Sequence, residues 1–211
     1  VTGDLRVAGL ILAGFQGHDA DADDLVGLCT LGVGGFILFG RNVVSPTQVH
    51  ALLAGLRARR GDRPTLYAVD QEGGRVARLR APLTVWPPMG SVGQLGDMEL
   101  ARAVGVGLGA EIAALGFNLD FAPTLDVNSH AENPVIGDRA FGSDAQAVLR
   151  AGIPWLDGLQ SSGVAACAKH FPGHGHVDQD SHHVLPVCPL SEEALATHLL
   201  PFRAAVEAGV A

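Results

Sequence analysis

The densest run of reactive side chains in this 211-residue chain lies between Lys169 and His183. Lys169-His170-Phe171-Pro172-Gly173-His174-Gly175 is followed by Asp178, Asp180, Ser181, His182 and His183. An unperturbed imidazole titrates near pH ~6.5, so it can give and take a proton close to neutrality. A carboxylate beside it fixes the tautomer and favours the protonated form. The stretch therefore suits general acid–base chemistry. Taken alone, it also allows a solvated turn, or a metal-dependent hydrolase with ligands drawn from His170, His174, His176, His182, Asp178 and Asp180. Against a metal, the spacing fits no ordered zinc signature and no His-Glu-x-x-His occurs.

Something must hold these groups in place. Val164-Ala165-Ala166-Cys167-Ala168 is an apolar run directly before the cluster and reads as a buried strand. The polar residues then sit where that strand's C-terminal end opens into a loop. Similar units recur. Leu31-Gly32-Val33-Gly34 leads into a strand at Gly35–Phe39, Leu115-Gly116-Phe117 into Asn118–Pro123, and Ser162-Gly163-Val164 into Ala165–His170. Glycine in these turns can end a helix in the left-handed conformation. Leu66–Val69 is a further strand, ending at Asp70. Helical patterns cover Pro46–Arg60, Met98–Leu115, Asp144–Ser161 and Ser191–Glu207, with Ser45 before Pro46, and Ser191 before two acids, as starting signals.

Alternating helices and near-continuous apolar strands predict a parallel sheet covered by helices. A doubly wound sheet and a (β/α)8 barrel both satisfy this. The barrel is favoured because no Gly-x-Gly-x-x-Gly occupies a first strand-to-helix turn. Polar residues also follow several strands in succession: Asp19 and Asp21, Arg41 and Asn42, Asp70 to Arg75, Asp126 to Asn128, and Lys169 to His183. A barrel aims such ends at one mouth. The expectation is thus an α/β, TIM-type barrel cut off after about five strand–helix units, where a closed one needs eight.

Composition narrows the partners. The chain is 47% hydrophobic and 17% charged, with a formal net charge of -8. Arg57, Arg59, Arg60 and Arg63 cluster only at a helix end, which argues against nucleic acid. Cys29, Cys167 and Cys188 read as free thiols, two of them buried, rather than a disulfide framework. No apolar run is long enough to span a membrane and no leader pattern opens the chain, which favours the cytoplasm; Val1 in place of Met leaves a removed leader open.

Four segments together resemble glycoside hydrolase family 3, in its bacterial β-N-acetylglucosaminidase branch. They are Gly35-Phe36-Ile37-Leu38-Phe39-Gly40-Arg41-Asn42, Val69-Asp70-Gln71-Glu72-Gly73-Gly74-Arg75-Val76, Asn133-Pro134-Val135-Ile136-Gly137-Asp138-Arg139-Ala140-Phe141, and Lys169 to Gly175 with the following Asp180-Ser181-His182. They occur in the family's order across nearly the whole chain. The resemblance implies the barrel as a catalytic domain over residues 1–211. It implies a retaining, exo-acting enzyme that removes terminal N-acetylglucosamine from muropeptide fragments or chitooligosaccharides, as in peptidoglycan recycling, with no cofactor or metal. His182 then matches the acid/base on a mobile loop and Asp180 its partner. Asp70, Arg139, Lys169 and His170 match the sugar-binding groups. Cations and neutral donors suit hydroxyl oxygens, and a carboxylate suits hydroxyl protons.

Several roles stay structural. Glu72 and Arg75 read as an internal ion pair, His174 as a brace for its loop, and Asp126 and Asn128 as support for Arg139 or that loop. Arg139 has a second reading, as an ion-pair partner of Asp138, Asp126 or Asp144. Asp120 and Asp126 flank a run that would otherwise invite a nucleophile, and the resemblance makes the Asp120-Phe121-Ala122-Pro123 stretch a framework strand. It places the nucleophilic Asp beyond Ala211, so no residue here takes that role. A β-glucosidase, a phosphorylase of the same family and a noncatalytic sugar-binding remnant are the remaining alternatives.

Overall fold

The computed structural model describes residues 5–180, 183–188 and 190–211. Among them the strands are β1 (Leu12–Ala13), β2 (Gly35–Leu38), β3 (Leu66–Val69), β4 (Gln71–Gly73), β5 (Val76–Ala77), β6 (Leu119–Asp120) and β7 (Ala165–Ala166). The helices are α1 (Leu5–Ala8), α2 (Asp23–Leu31), α3 (Pro46–Arg60), α4 (Met89–Leu95), α5 (Met98–Leu115), α6 (Ala145–Ser161) and α7 (Glu192–Glu207).

Five strands form one parallel sheet in the order β1-β2-β3-β6-β7. Neighbours in the sheet follow the chain, whereas a doubly wound sheet reverses its order at a switch point. The arrangement is that of a barrel wall. β3 has the expected bounds, whereas the expected Asn118–Pro123 and Ala165–His170 strands keep ladder pairing only at Leu119–Asp120 and Ala165–Ala166. Beyond that ladder a single parallel bridge, Thr124 to Lys169, holds the two segments side by side. β4 and β5 form a small antiparallel hairpin after β3.

Local chemistry sets the helix ends. Ser45, Asp97, Asp144 and Ser191 each accept a hydrogen bond from the backbone N–H three residues on, at 3.1, 3.0, 2.9 and 3.2 Å. Such a cap satisfies an N–H that the helix itself leaves unpaired and contributes about 1 kcal/mol. Gly32 and Gly116 end α2 and α5 in the left-handed region, as the turn pattern predicts. Ser191 is thus the cap that the pattern predicts, and Asp144 is a cap rather than the first helical residue.

The core lies between sheet and helices. Phe36, Leu38, Ala68 and Val69 from the strands are buried with Val49, Leu52, Leu53 and Leu56 of α3. Leu108 and Ile112 of α5, and Trp155, Leu156 and Leu159 of α6, are buried too. α5 and α6 pack so closely that a Cβ on Gly105 would collide with the Trp155 carbonyl oxygen. Full burial of each large aliphatic side chain contributes roughly 1.5–3 kcal/mol. This packing fixes the C-terminal ends of β3, β6 and β7 beside one another. Arg41 and Asn42 lie in a turn after β2, where Asn42 is buried and donates to the carbonyls of Phe15 and Gly17. Cys29 and Cys167 are only half-buried and Cys188 is exposed; all three are free thiols.

Candidate active site

Asp70 follows β3, Glu72 lies in the β4–β5 hairpin after it, and Lys169 follows β7, two places along the sheet; their side chains meet. The Lys169 ammonium is 2.9 Å from Asp70 Oδ1 and 2.5 Å from Glu72 Oε1. Arg139, on the segment between β6 and α6, grips Glu72 with two parallel hydrogen bonds, Nε to Oε2 and Nη2 to Oε1, both 2.8 Å. Bidentate pairing of this kind fixes orientation as well as charge. Thr124 Oγ1 adds a third donor to Glu72 at 3.1 Å. Glu72 is thus the buried centre of the cluster, with 2% of its side chain exposed.

Burial alone would raise the Glu72 carboxyl, but the Arg139 hydrogen bonds and the Lys169 and Arg139 charges hold it down at about 2. Burial likewise pulls the Arg139 guanidinium down, and the hydrogen bonds and charge of Glu72 more than reverse this and raise it. Both groups are charged across the physiological range.

The expected Glu72–Arg75 ion pair is not formed. β4 turns Glu72 inward, while Arg75 reaches outward to Asp138 (3.2 Å) and to the carbonyls of Pro134, Val135 and Ile136. Arg139 pairs with Glu72 rather than with Asp138, Asp126 or Asp144.

His170 and Asp126 form a second layer. Asp126 is fully buried and accepts from the His170 backbone N–H (3.1 Å) and the His174 backbone N–H (2.5 Å). It also lies 2.7 Å from His170 Nδ1. His170 Nε2 faces Arg139 Nη2 at 3.3 Å. A guanidinium can only donate, so Nε2 accepts and the Nδ1–H donates a hydrogen bond to Asp126. Asp126 therefore supports the loop directly, as one of the expected readings had it. His174 braces through its backbone; among the described residues its two ring nitrogens are buried without hydrogen-bond partners.

The loop after His170 is held from below. Asn133 Nδ2 donates to the carbonyls of His174 (2.7 Å) and Val177 (2.8 Å), and the His130 N–H donates to the Gly175 carbonyl (3.1 Å). Gly175 lies against the Val127 carbonyl with no room for a Cβ. The loop continues to Asp180, whose carbonyl accepts from the N–H groups of His183 and Val184. His183 Nε2 lies 4.0 Å from Asp180 Oδ2 and its side chain is 81% exposed. His182, the expected acid/base, lies outside the described residues.

The structure thus brings Asp70, Arg139, Lys169 and His170 together, with Asp180 on the adjoining loop. Exposure rises from the Glu72 floor toward Asp70 (18%) and His170 (36%), which form the reachable rim. Arg78, after β5, was missed by sequence reading; its Nη2 is 3.4 Å from Asp70 Oδ2. Its only signal was position, two residues past Val76 in the Asp70–Val76 motif. Among the described residues no three His, Cys, Asp or Glu side chains converge as metal ligands would, and no helix is long and apolar enough to cross a membrane.

Known proteins share this architecture. The profile of the Glycosyl hydrolase family 3 N terminal domain matches residues 4–211. A beta-hexosaminidase of Thiobacillus denitrificans is 46% identical over 186 residues, 85% of this chain and 51% of that protein. One of Alkalilimnicola ehrlichii is 41% identical over 202 residues, 92% of this chain and 58% of that protein. The chain spans about half the length of these curated relatives. Among solved structures, a family 3 beta-N-acetylglucosaminidase from Paenibacillus superposes with a TM-score of 0.94 at 44% identity, covering 100% of this chain and 41% of that one. NagZ from Neisseria gonorrhoeae gives 0.89 at 36% identity, covering 95% and 60%; it has also been solved with N-trifluoroacetyl-D-glucosamine. The parallel sheet is of the (β/α)8 barrel type, and the chain belongs to glycosyl hydrolase family 3, whose N-terminal domain it carries.

Proposed function

We propose that this chain supplies the sugar-binding groups and the acid/base of a retaining exo-β-N-acetylglucosaminidase. The observation that carries the reading is the convergence of Asp70, Lys169 and His170, which follow β3 and β7, with Arg139 from the segment between β6 and α6, braced by the buried Glu72 and Asp126 carboxylates. Such a cluster is held in place before any ligand arrives, which lowers the entropic cost of binding. Asp70 accepts sugar hydroxyl protons. Lys169 has three donors and gives two to Asp70 and Glu72, leaving one for a hydroxyl or carbonyl oxygen. Arg78 steadies Asp70 from the other side.

Retention requires two steps. A carboxylate attacks the anomeric carbon as His182 donates its proton to the departing oxygen. Water then attacks the glycosyl-enzyme while His182 takes the water's proton. Asp180, two residues before His182, orients the imidazole. The nucleophilic Asp comes from outside residues 1–211. The substrate is a terminal N-acetylglucosaminide of the muropeptide or chitooligosaccharide type; beta-hexosaminidase is the activity named for the relatives.

The test is turnover by the intact protein of nitrophenyl N-acetyl-β-glucosaminide against nitrophenyl β-glucoside, each with and without phosphate. A preference for the acetylated sugar supports the reading. Phosphate stimulation would make it a phosphorylase, and preference for the glucoside would overturn the substrate assignment.

A further inference from the structure

Asp120 is a buried carboxyl that the chemistry above does not use. It ends β6, which lies between β3 and β7 in the sheet, opposite Val69 of β3 and Ala166 of β7, and is 0% exposed. Its Oδ1 accepts the Gln71 backbone N–H at 2.9 Å. Its Oδ2 is buried and has no hydrogen-bond partner among the described residues.

The charges facing it come from three directions. Asp70 and Glu72 flank Gln71 on the β3–β4 side, Lys169 lies beyond β7, and the Cys167 thiol sits beside it on the β7 segment. The surrounding ion pairs are already balanced. The acidic groups Asp70, Glu72 and Asp126 are matched by the basic groups Lys169, Arg139 and Arg78. Lys169 directs its hydrogen bonds to Asp70 and Glu72 and makes none to Asp120. An ionised Asp120 would thus be an uncompensated charge with one bare oxygen in the interior, which a folded protein avoids by keeping the proton.

We infer that Asp120 is a positioning residue for the sugar-binding edge: a neutral carboxylic acid that fixes the Asp70–Gln71–Glu72 segment through the Gln71 amide and leaves the Lys169 ammonium to Asp70 and Glu72. Burial pushes the carboxyl well above the usual range, against the opposing pull of the Gln71 N–H and Lys169. The hydrogen bond falls midway between the two carboxylates that share Lys169, so it sets the spacing of both. A charged Asp120 would compete for the same ammonium and draw it away from Asp70.

The inference rests on the sugar-binding reading of Asp70, and its test separates the two. Asp120→Asn is the neutral isostere and Asp120→Ala removes the acceptor. In the intact protein, the wild-type minus D120N infrared difference spectrum at neutral pH should contain the carbonyl band of a protonated carboxylic acid. D120N should retain KM and kcat. D120A should raise KM by about tenfold, with a smaller change in kcat, because the Gln71 N–H is left unpaired. Absence of the carboxylic acid band, or a D120N KM raised as far as that of D120A, would overturn the inference. If D120A does not fold, the D120N spectrum and kinetics decide. If the wild type turns over no N-acetylglucosaminide, the sugar reading fails, and the infrared band together with hydrogen-exchange protection of the Gln71 amide still judges Asp120.

Discussion

Replacing Glu72 with Gln tests whether the charged cluster is organised around this carboxylate. Its side chain is 2% exposed and meets Arg139 twice and Lys169 once. The gap between an ordinary carboxyl at 4.5 and Glu72 at about 2 corresponds to about 3 kcal/mol of folding stability. Removing one member of a buried ion pair costs about 3–5 kcal/mol, so two independent lines agree in size. Folding lowers this pKa, so the contribution is complete above the unfolded value of 4.5 and drains away as pH falls toward 2. More than half should be gone by about pH 3. The assay is urea unfolding of wild type and Glu72→Gln at both ends of that window. Other carboxyls titrate in both proteins, so the difference between the two isolates Glu72. The variant should be about 3 kcal/mol less stable at pH 7 and about 1 kcal/mol less stable at pH 3. An equal deficit at the two pH values, or none at pH 7, would refute the reasoning.

Two further outcomes are expected. His182→Ala should slow hydrolysis of poor leaving groups by about 100- to 10,000-fold and of nitrophenyl substrates far less, because a good leaving group needs little proton donation; equal losses across a leaving-group series would remove His182 as the acid. Gly175→Ala should cost about 1–3 kcal/mol through the clash with the Val127 carbonyl, and lower kcat by displacing the loop that leads to Asp180; wild-type melting and turnover would show that the loop is not held there.

Local signals were legible in the sequence and distant pairings were not. The ends of α3 and α7 could be read because Ser45 and Ser191 cap them through bonds spanning three residues. The end of α5 could be read because Gly116 must take a left-handed backbone. Strand extent was less legible: the apolar runs to Pro123 and His170 leave the ladder early, although Thr124 and Lys169 remain paired. The resemblance marked Asp70, Arg139, Lys169 and His170 as a group, and the fold brings them together. It gave no hint that Glu72 would be the hub. Nearness in sequence suggested Arg75 as its partner, but β4 buries Glu72 and the hairpin sends Arg75 the other way. Its actual partners, Arg139 and Lys169, come from segments that only the parallel sheet brings close. Asp120 was equally hidden, since its burial depends on β3 and β7 closing on either side of β6.

The central claim is that the Asp70–Lys169–Arg139 cluster binds the terminal sugar, and calorimetry tests it most directly. N-acetylglucosamine is titrated into the intact protein and into its Asp70→Asn variant, with melting temperatures recorded to show that both are folded. Loss of a charged hydrogen-bond acceptor should weaken binding by about 10- to 100-fold in the variant. Equal affinity in the two proteins would contradict the account and place the sugar elsewhere.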